Sequence, residues 1–430
     1  MFGTCSHVSN MGNGRGASPS RMASLPRRRW RALGCRIVSA DDRCSTPFGD
    51  FELHRGPYGR AEPLRAWDGA DLLLLDHVAA LGLDSAARVL VIGDRFGALS
   101  VALNGFDPLV WCDSAVSEGA ITANRSLAGR ARPGRFVTSL ADAVAAGPFE
   151  LIVWNVERAT DLVGYVASHL GAMSLAGTAV FAAGMDKNLP PRTAEILRLV
   201  GDVTTHPGRR KAHLFEARVS AGLAQFRPLV QPPQPTVAVP EHGLQLHGGP
   251  GVFSADRFDL GTRLLAGFMA TQGEFEPGGQ PVSQVVDLGC GAGALGVIAL
   301  RTWPEAAVHF VDDCAMAVAT AQINVRANIA NADDQVRATF LRTDVLTGFG
   351  DQAVDLIVCN PPFHHGNAMT DDVAWQMFLQ SREHVRAGGE FWVVGNRHLG
   401  YHAKLTRLFG KGHVRQLVSH PKFVVLGARR

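Results

Sequence analysis

The sequence predicts an α/β protein of two tandem Rossmann-like domains, each a mostly parallel sheet with an antiparallel closing strand. Three observations support this fold class. Strands alternate with helical patterns in the second half of the chain, a similar alternation precedes it in the first half, and each copy has a glycine turn after a strand. Such alternation is typical of a parallel sheet covered by helices on both faces.

The second half begins with the strand QVVDL, the glycine turn GCGAG and the helical run ALGVIALRTW. The strand AVHFVD and the helix AMAVATAQINVRANI follow, with apolar residues at helical spacing. Further strands are predicted at 338–342, 354–359 and 390–395, and a further helix at 371–386. The segments HVRQLVS and KFVVLGA near the end are close enough to pair as a hairpin. This order predicts right-handed crossovers and a parallel sheet that the hairpin closes.

The first half repeats the pattern. Its segment ARVLVIGDRFGALSVAL corresponds to SQVVDLGCGAGALGVIAL, and PFELIVWNVER corresponds to AVDLIVCNPPF. The span from Gly93 to Asn155 is 62 residues, and the span from Gly289 to Asn360 is 71. Because the order agrees and the spacing nearly agrees, we interpret the chain as an internal duplication.

The copies differ where chemistry is expected. Val91 stands where the second copy has Asp287, and Arg95 stands where it has Gly291. The segment Pro361, Pro362 and Phe363 is replaced by Val156, Glu157 and Arg158. We therefore expect the first copy to keep the sheet and to lack the site.

Composition divides the chain into four predicted regions. Residues 1–45 are rich in Gly, Ser, Pro and Arg and predict a disordered basic extension; an RNA-binding arm, a targeting peptide and sequence upstream of the true start codon are the alternatives. The degenerate copy occupies 46–225 and the complete copy 251–430. The segment 226–250 contains six prolines and predicts an irregular linker. We expect a fragment starting near Phe226 to bind cofactor by itself.

Charge and cysteine content limit the function classes. Residues 1–36 contain seven arginines and no acid; subtracting them from the 42 Lys and Arg leaves 35 basic residues against 39 acidic ones. A polyanionic partner must therefore meet local basic patches. The seven cysteines show no C-x-x-C spacing, which argues against a zinc site. No apolar run reaches the roughly 18 residues of a membrane helix, so we expect a soluble, cytoplasmic protein without metal or membrane.

Residues at the strand ends of the second copy predict a cofactor site. The glycines Gly289, Gly291 and Gly293 free backbone N–H groups for a ligand, a weak signal that suits dinucleotides and adenosyl cofactors equally. Asp287 beside them would repel a pyrophosphate and attract the ammonium and sulfonium groups of S-adenosylmethionine. Asp312, at the end of the next strand, suits the hydroxyls of a ribose.

Two further acids leave alternatives open. Asp313 could compete with Asp312 for the ribose. Asp344, beyond the third strand, could bind an adenine amino group. Acidic residues at such positions also serve as helix caps or turn residues.

The segment DLIVCNPPFHHG predicts the reacting centre. A purine amino group delocalises its lone pair into the ring and is a poor nucleophile until it is drawn towards tetrahedral geometry. The Asn360 side-chain oxygen and the Pro361 carbonyl can accept its two N–H bonds, and Pro361 and Pro362 add no competing donors. Phe363 offers a face on which the base can stack. At the end of a strand beside the glycine turn, Asn360 also borders the cofactor.

Other residues receive lesser roles. His364 is predicted to orient a loop or to meet RNA rather than to act as a base. Basic residues of the first half predict RNA contacts, namely Arg158, Arg209, Arg210 and Lys211. Cys290 and Cys359 lack an obvious base and are expected in the core.

Four segments together resemble the bacterial ribosomal RNA guanine-N2 methyltransferases with tandem class I methyltransferase domains: VVDLGCGAGALG, FVDDCAMAVATAQINVRAN, LIVCNPPFHHGNAMTDDVAWQMF and VVGNRHLGYHAKLTRLFG. The resemblance covers roughly residues 50–430. It implies S-adenosylmethionine as donor, an active second domain, and a first domain that helps to hold RNA. The stretches MTDDVAWQMF and NRHLGYHAKL favour the members that act on 23S RNA over those that act on 16S RNA.

Two other classes stay open. Protein-glutamine and DNA-adenine amino methyltransferases also use an N-P-P turn, usually followed by Tyr, and lack the duplicated upstream domain. A non-catalytic RNA-binding assembly factor would fit if both copies were degenerate, and only the first is.

Overall fold

The computed structural model of the chain describes residues 42–56, 64–129, 134–223, 236–253, 257–362 and 368–430. The predicted N-terminal extension lies almost entirely outside these ranges, as do Phe363 and His364. No helix in the described part of the chain is long and apolar enough to cross a membrane.

The first half contains a two-stranded hairpin and a seven-stranded sheet. Its strands are β1 Arg43–Thr46, β2 Gly49–Glu52, β3 Val89–Ile92, β4 Leu109–Trp111, β5 Arg135–Val137, β6 Phe149–Asn155, β7 Ser174–Met185, β8 Gly201–Thr205 and β9 Ala212–Val219. Its helices are α1 Gly69–Ala80, α2 Ala98–Ala102, α3 Ala115–Leu127, α4 Leu140–Ala146, α5 Thr160–Leu170 and α6 Thr193–Leu197.

The second half has the same composition of elements. Its strands are β10 Thr236–Val239, β11 Leu244–His247, β12 Gln284–Leu288, β13 Ala307–Asp312, β14 Ala338–Arg342, β15 Val354–Cys359, β16 Val385–Asn396, β17 Val414–Ser419 and β18 Phe423–Arg429. Its helices are α7 Leu260–Met269, α8 Ala294–Thr302, α9 Ala315–Asn328, α10 Ala332–Gln335, α11 Ala368–His384 and α12 Tyr401–Phe409. Short 3-10 turns lie at Leu103–Phe106, Pro240–His242, Pro277–Gly279 and Arg397–Leu399.

The two sheets have one topology. The strand order is β5-β4-β3-β6-β7-β9-β8 in the first and β14-β13-β12-β15-β16-β18-β17 in the second. Neighbouring strands from β14 to β16 run parallel, and β18 pairs antiparallel with both β16 and β17. The predicted fold class and the closing hairpin are therefore confirmed, and the internal duplication extends to the whole topology.

Each sheet is buried on both faces, which explains the continuous apolar strands of the sequence. Successive residues of β12 show this, since Val285 belongs to one core cluster and Val286 to another on the opposite face. β3 divides in the same way between two clusters, with Val91 in one and Leu90 in the other. The strand ends are consequently fixed by packing on two sides.

The prediction of an irregular linker over 226–250 is wrong for the second part of that segment. Within 226–250, the strands β10 and β11 form an antiparallel hairpin, because Val239, Leu244 and Leu246 alternate towards the core of the second half. Two hydrogen bonds with Asn324 hold the backbone of His247, at 2.7 Å to its N–H and 2.9 Å to its carbonyl. The alternation of apolar residues outweighs the local proline content.

Other boundaries differ by a few residues. β1 begins at Arg43, inside the predicted extension of 1–45. β16 begins at Val385 rather than at 390, with a register shift against β15 between Val354 and Leu356. The start of this strand is not evident from the sequence, because it contains glycines at 388 and 389 and glycine is typical of turns.

Candidate functional site

A cavity of about 590 Å³ lies at the carboxyl ends of the second sheet's parallel strands. This is the edge at which open α/β sheets bind ligands. Eight of the residues predicted from sequence line it, namely Asp287, Gly289, Gly291, Asp312, Asp344, Asn360, Pro361 and Pro362. The structure therefore brings the predicted strand-end residues together, although Asp287 and Pro362 are 75 positions apart.

The glycine turn follows β12 and leads into α8. Gly289, Gly291 and Gly293 all have positive φ, at 72°, 52° and 79°, a conformation that costs side-chain-bearing residues energy. A Cβ atom on Gly293 would lie 2.8 Å from the Cβ of Ala321 in α9. Gly293 thus permits close helix packing, whereas Gly289 and Gly291 line the cavity.

Two carboxylates flank this turn, one buried (Asp287) and one half-buried (Asp312). Asp287 is 1% exposed and accepts a hydrogen bond from the Gly296 N–H at 2.8 Å; burial raises its pKa to about 8. Asp312 accepts from the N–H groups of Gly291 at 2.9 Å and Cys314 at 3.0 Å, and burial raises its pKa to about 6. A bound cation would favour the ionised forms of both.

Asp313 serves a different purpose from its neighbour. Its Oδ1 accepts the Val116 N–H at 2.7 Å, so this carboxylate caps α3 of the first half. Asp312 directs its two oxygens to the glycine turn and to the start of α9. Both acids line the cavity, and Asp313 is the one engaged with the first half.

The side chain of Asn360 is held in one orientation. Its Nδ2 donates to Thr262 Oγ1 at 2.8 Å and to Asp259 Oδ2 at 3.3 Å. Its Oδ1 is buried and has no hydrogen-bond partner among the described residues. A buried acceptor without a partner costs about 1–3 kcal/mol, which an incoming N–H donor would recover.

The segment before α7 and the first turn of α7 also line the cavity. Phe253, Arg257, Asp259 and Thr262 are among the lining residues. The sequence analysis assigned no role to Asp259 or Thr262. The pattern D-x-x-T at the start of an apolar helical run marks a helix N-terminus, and this signal could have identified the two residues.

The first half contributes a wall of the same cavity. Its lining residues are Arg55, Arg95, Phe96, Ser114, Val116 and Ser117. Sequence reasoning missed them, because no local pattern links a turn near residue 95 to strand ends near residues 312 and 360.

Backbone hydrogen bonds join the two halves beside the cavity in a reciprocal way. The Ala115 N–H donates to the Asp313 carbonyl at 3.0 Å, and the Ala315 N–H donates to the Asp113 carbonyl at 2.9 Å. Each half thus accepts a bond from the first residue of the other half's helix. We call this contact the reciprocal junction.

Side chains extend the reciprocal junction. While Asp313 caps α3, Asp113 Oδ1 accepts the Met316 N–H of α9 at 2.9 Å. Arg342, at the end of β14, donates to the Asp113 carbonyl at 2.9 Å and to Glu118 at 2.8 Å. The start of α9, next to Asp312, is therefore supported by a residue of the first half.

The turn of the first copy that corresponds to the glycine turn has different side chains and hydrogen bonds. Asp94, inside its turn, accepts the N–H groups of Gly97 and Ser100, both at 2.8 Å. Phe96 replaces Ala292, and the Arg55 guanidinium lies 4.9 Å from its ring centroid. The degenerate turn thus carries its own acid and large side chains where the second copy has small residues.

The remaining predicted residues lie elsewhere. Arg158, Arg209, Arg210 and Lys211 are exposed and are not among the cavity residues. Arg210 donates to Asp76 of α1 at 2.5 Å. Cys290 and Cys359 are buried, as predicted, and in the described ranges no cluster of His, Cys, Asp and Glu could hold a metal ion.

Two family models match separate parts of the chain. The family model described as RLMG N-terminal domain matches residues 41–221, and the one described as Methyltransferase small domain matches residues 243–427. Proteins called ribosomal RNA large subunit methyltransferase G from Streptomyces avermitilis and Pseudomonas paraeruginosa are each 37% identical to this chain. The alignments cover 90% and 89% of this chain and 99% and 98% of those relatives. This chain belongs to the ribosomal RNA large subunit methyltransferase G family.

The resemblance inferred from the motifs is therefore confirmed. Among solved structures, the T. thermophilus 16S rRNA N2 G1207 methyltransferase in complex with AdoMet and guanosine matches with a TM-score of 0.67. At 24% identity it covers 90% of this chain and 97% of its own. This likeness shows that the chain shares its tandem fold with an enzyme named for 16S rRNA.

Proposed function

We propose that this chain methylates the exocyclic N2 amino group of a specific guanine in 23S ribosomal RNA, with S-adenosylmethionine as donor. The observation that carries the proposal is the buried, unpartnered Oδ1 of Asn360 in a cavity lined by Asp287 and Asp312. Membership of the family supports ribosomal RNA of the large subunit as the substrate.

The residues around the cavity fit S-adenosylmethionine. The carboxylates of Asp287 and Asp344 suit its ammonium and adenine amino groups, and Asp312 suits its ribose hydroxyls. Positive-φ glycines leave the turn open to close approach. When bound, this cofactor supplies an electrophilic methyl group. Its positive charge would offset the desolvation cost of keeping these acids ionised when they are buried.

The chain's own residues orient the amine that is methylated. Asn360 Oδ1 and the Pro361 carbonyl accept its two N–H bonds, which directs its lone pair towards the methyl group. Phe363, outside the described residues, is proposed to stack on the base, and His364 to contact RNA. The proton lost from the amine passes to water. Pro362 keeps the turn rigid without adding a donor.

The activity test uses labelled S-adenosylmethionine with purified 23S rRNA and 16S rRNA from a strain lacking this gene, and with DNA and protein. Label in N2-methylguanosine from 23S rRNA alone is the expected result. Label in 16S rRNA would favour the small-subunit alternative. Label in glutamine or adenine would favour the other N-P-P classes, and binding of rRNA without label would favour an assembly factor.

The first half is proposed to bind RNA through its exposed basic residues. Arg209, Arg210 and Lys211 lie in a turn before β9, and Arg158 follows β6. Extraction of a guanine from RNA structure costs a few kcal/mol, and backbone contacts from a second domain would offset that cost. The ion pair of Arg210 with Asp76 leaves Arg209 and Lys211 as the main phosphate contacts of the turn.

Charge reversal tests this surface. Arg209→Glu combined with Lys211→Glu should weaken RNA binding and reduce the salt dependence of log K by about 0.9 for each lost phosphate contact. Arg192→Glu in the same half is the matched control, since Arg192 is exposed and pairs with Glu195. If affinity and salt slope stay unchanged in the folded double variant, the first half is a scaffold.

A further inference from the structure

We propose that Thr262 and Asp259, at the start of α7, are positioning residues that orient the Asn360 amide so that its oxygen meets the target amine. The inference rests on the proposed role of Asn360 in that reaction. It concerns how the acceptor is held before substrate arrives.

The chemistry of the two partners decides which way the amide faces. An ionised carboxylate is an acceptor only, so the Asn360 nitrogen, 3.3 Å from Asp259 Oδ2, is the atom that must face it. With Oδ1 in its place, two oxygens would repel each other. Thr262 Oγ1 accepts the shorter bond, at 2.8 Å. Both amide protons are thereby used and Oδ1 is left for substrate.

The helix start holds the two acceptors as one unit. Asp259 is the N-cap of α7, and its Oδ2 also accepts the N–H groups of Gly261 at 2.9 Å and Thr262 at 3.2 Å. Thr262 is the third residue of the helix. The Asp259 carboxylate binds both the end of α7 and the Asn360 amide. The orientation of Asn360 is therefore fixed by the helix itself and does not depend on an unsupported side chain.

The first copy shows the same arrangement independently. Asp68 is the N-cap of α1, and Asp71, the third residue of that helix, accepts from Asn155 Nδ2 at 2.7 Å. Asn155 corresponds to Asn360 and ends β6. The anchor between a strand-end asparagine and the third helical residue is therefore a constant feature of both copies. In the second copy the anchored residue borders the cavity, which gives the anchor a catalytic consequence.

Kinetics of three full-length variants test the inference. Thr262→Val removes one acceptor and keeps the shape, so kcat should fall about 10- to 100-fold, whereas the Kd for S-adenosylmethionine and the Tm stay near wild type. Thr262→Ser should restore kcat. Asp259→Asn keeps a good N-cap and adds a donor beside the amide, so kcat should also fall. Its matched control, Asp68→Asn in the first copy, should leave kcat unchanged.

A second readout does not depend on methylation. The side-chain amide of Asn360 can be assigned by NMR from its loss in Asn360→Ala, and its protons should be protected from exchange in wild type. Thr262→Val should remove that protection. Unchanged protection together with unchanged kcat would overturn the inference, as would a parallel loss of kcat, cofactor affinity and Tm. If wild type methylates DNA or protein instead of RNA, or nothing, the proposed function fails while the exchange result still decides the anchor.

Discussion

At the residue scale, the site combines acids that prefer a positive ligand with one amide oxygen that lacks a donor. Asp287 is buried and Asp312 half-buried, and loss of hydration raises the pKa of each, to about 8 and about 6. Asn360 Oδ1 is unpartnered among the described residues. Each of these groups carries a desolvation cost, and a cationic methyl donor and an aromatic amine would relieve both costs.

Asn360→Ala should reduce methyl transfer by about 10²-fold or more, because it removes a hydrogen bond that strengthens as the amine becomes tetrahedral. Cofactor affinity should stay within a few-fold. Single-turnover kinetics and calorimetry measure the two quantities. Asn155→Ala is the matched control in the first copy and should leave turnover per folded molecule unchanged. Near-normal turnover of Asn360→Ala would contradict the proposed mechanism.

Asp312→Ala should weaken S-adenosylmethionine binding by about 1–3 kcal/mol, through loss of charge-assisted hydrogen bonds. Asp313→Ala should have a much smaller effect on affinity, since the Asp313 carboxylate caps α3 at Val116. Calorimetry on both variants decides between them. A larger loss in Asp313→Ala would transfer the ribose role to that residue.

Cofactor affinity should also depend on pH. The Asp312 pKa of about 6, raised mainly by burial, means that the carboxyl of the free protein becomes protonated as pH falls from 7 to 5. Binding of a cation favours the ionised form, so protons are released on binding and affinity should fall with decreasing pH. Asp312→Asn should flatten this dependence. A flat profile in wild type would show that Asp312 does not contact the ligand in its ionised form.

At the element scale, the starts of helices position the chemistry. α7 holds Asn360, α8 follows the glycine turn, and α9 begins at the reciprocal junction, where Asp113 accepts the Met316 N–H. Helix starts carry free N–H groups that need acceptors. In this protein one of those acceptors belongs to the other copy, which links the cofactor edge of the second sheet to the first domain.

Asp113→Ala should lower stability by about 1 kcal/mol through the lost cap and should also weaken cofactor binding, because the same helix start donates to Asp312. Ser139→Ala is the control, since Ser139 caps α4 at the Asp142 N–H, 3.1 Å away, and is not a cavity residue. It should lose comparable stability and keep cofactor affinity. Equal affinities in both variants would show that the reciprocal junction is structural only.

At the scale of the whole molecule, the two copies together form one cavity with walls from both halves. Phe96 and Val116 of the first half line the cavity together with Asp312 and Asn360 of the second. Arg342 donates across the reciprocal junction to Glu118. The first domain is therefore part of the cavity wall as well as a proposed RNA-binding surface.

Removal of residues 1–225 should consequently weaken S-adenosylmethionine binding by about tenfold, the equivalent of one lost cap. The sequence-based expectation that a fragment starting near Phe226 binds cofactor stays a prediction, to which the shared wall adds an expected loss of affinity. Calorimetry on the fragment, after circular dichroism has shown that it is folded, measures the change. An affinity within about twofold of that of the full chain would show that the first half contributes nothing measurable to cofactor binding.

The features that repeat locally along the chain can be predicted from the sequence alone. The alternation of strands and helices predicted both sheets, and the strand-end positions of Asp287, Asp312 and Asn360 predicted one edge, because parallel strands carry their carboxyl ends to the same side. Asp313 could not be separated from Asp312, since adjacent residues share the same local pattern.

Contacts between distant segments of the chain become visible in the folded structure alone. It engaged Asp313 with α3, brought Thr262 to the Asn360 amide, and placed Phe96 in the wall of a cavity whose other residues lie near 312 and 360. The physical reason is that a hydrogen bond or a cavity wall requires two groups within a few ångströms. Periodicity and composition report how each segment is buried, whereas the partner that buries it is set by the packing of the two copies.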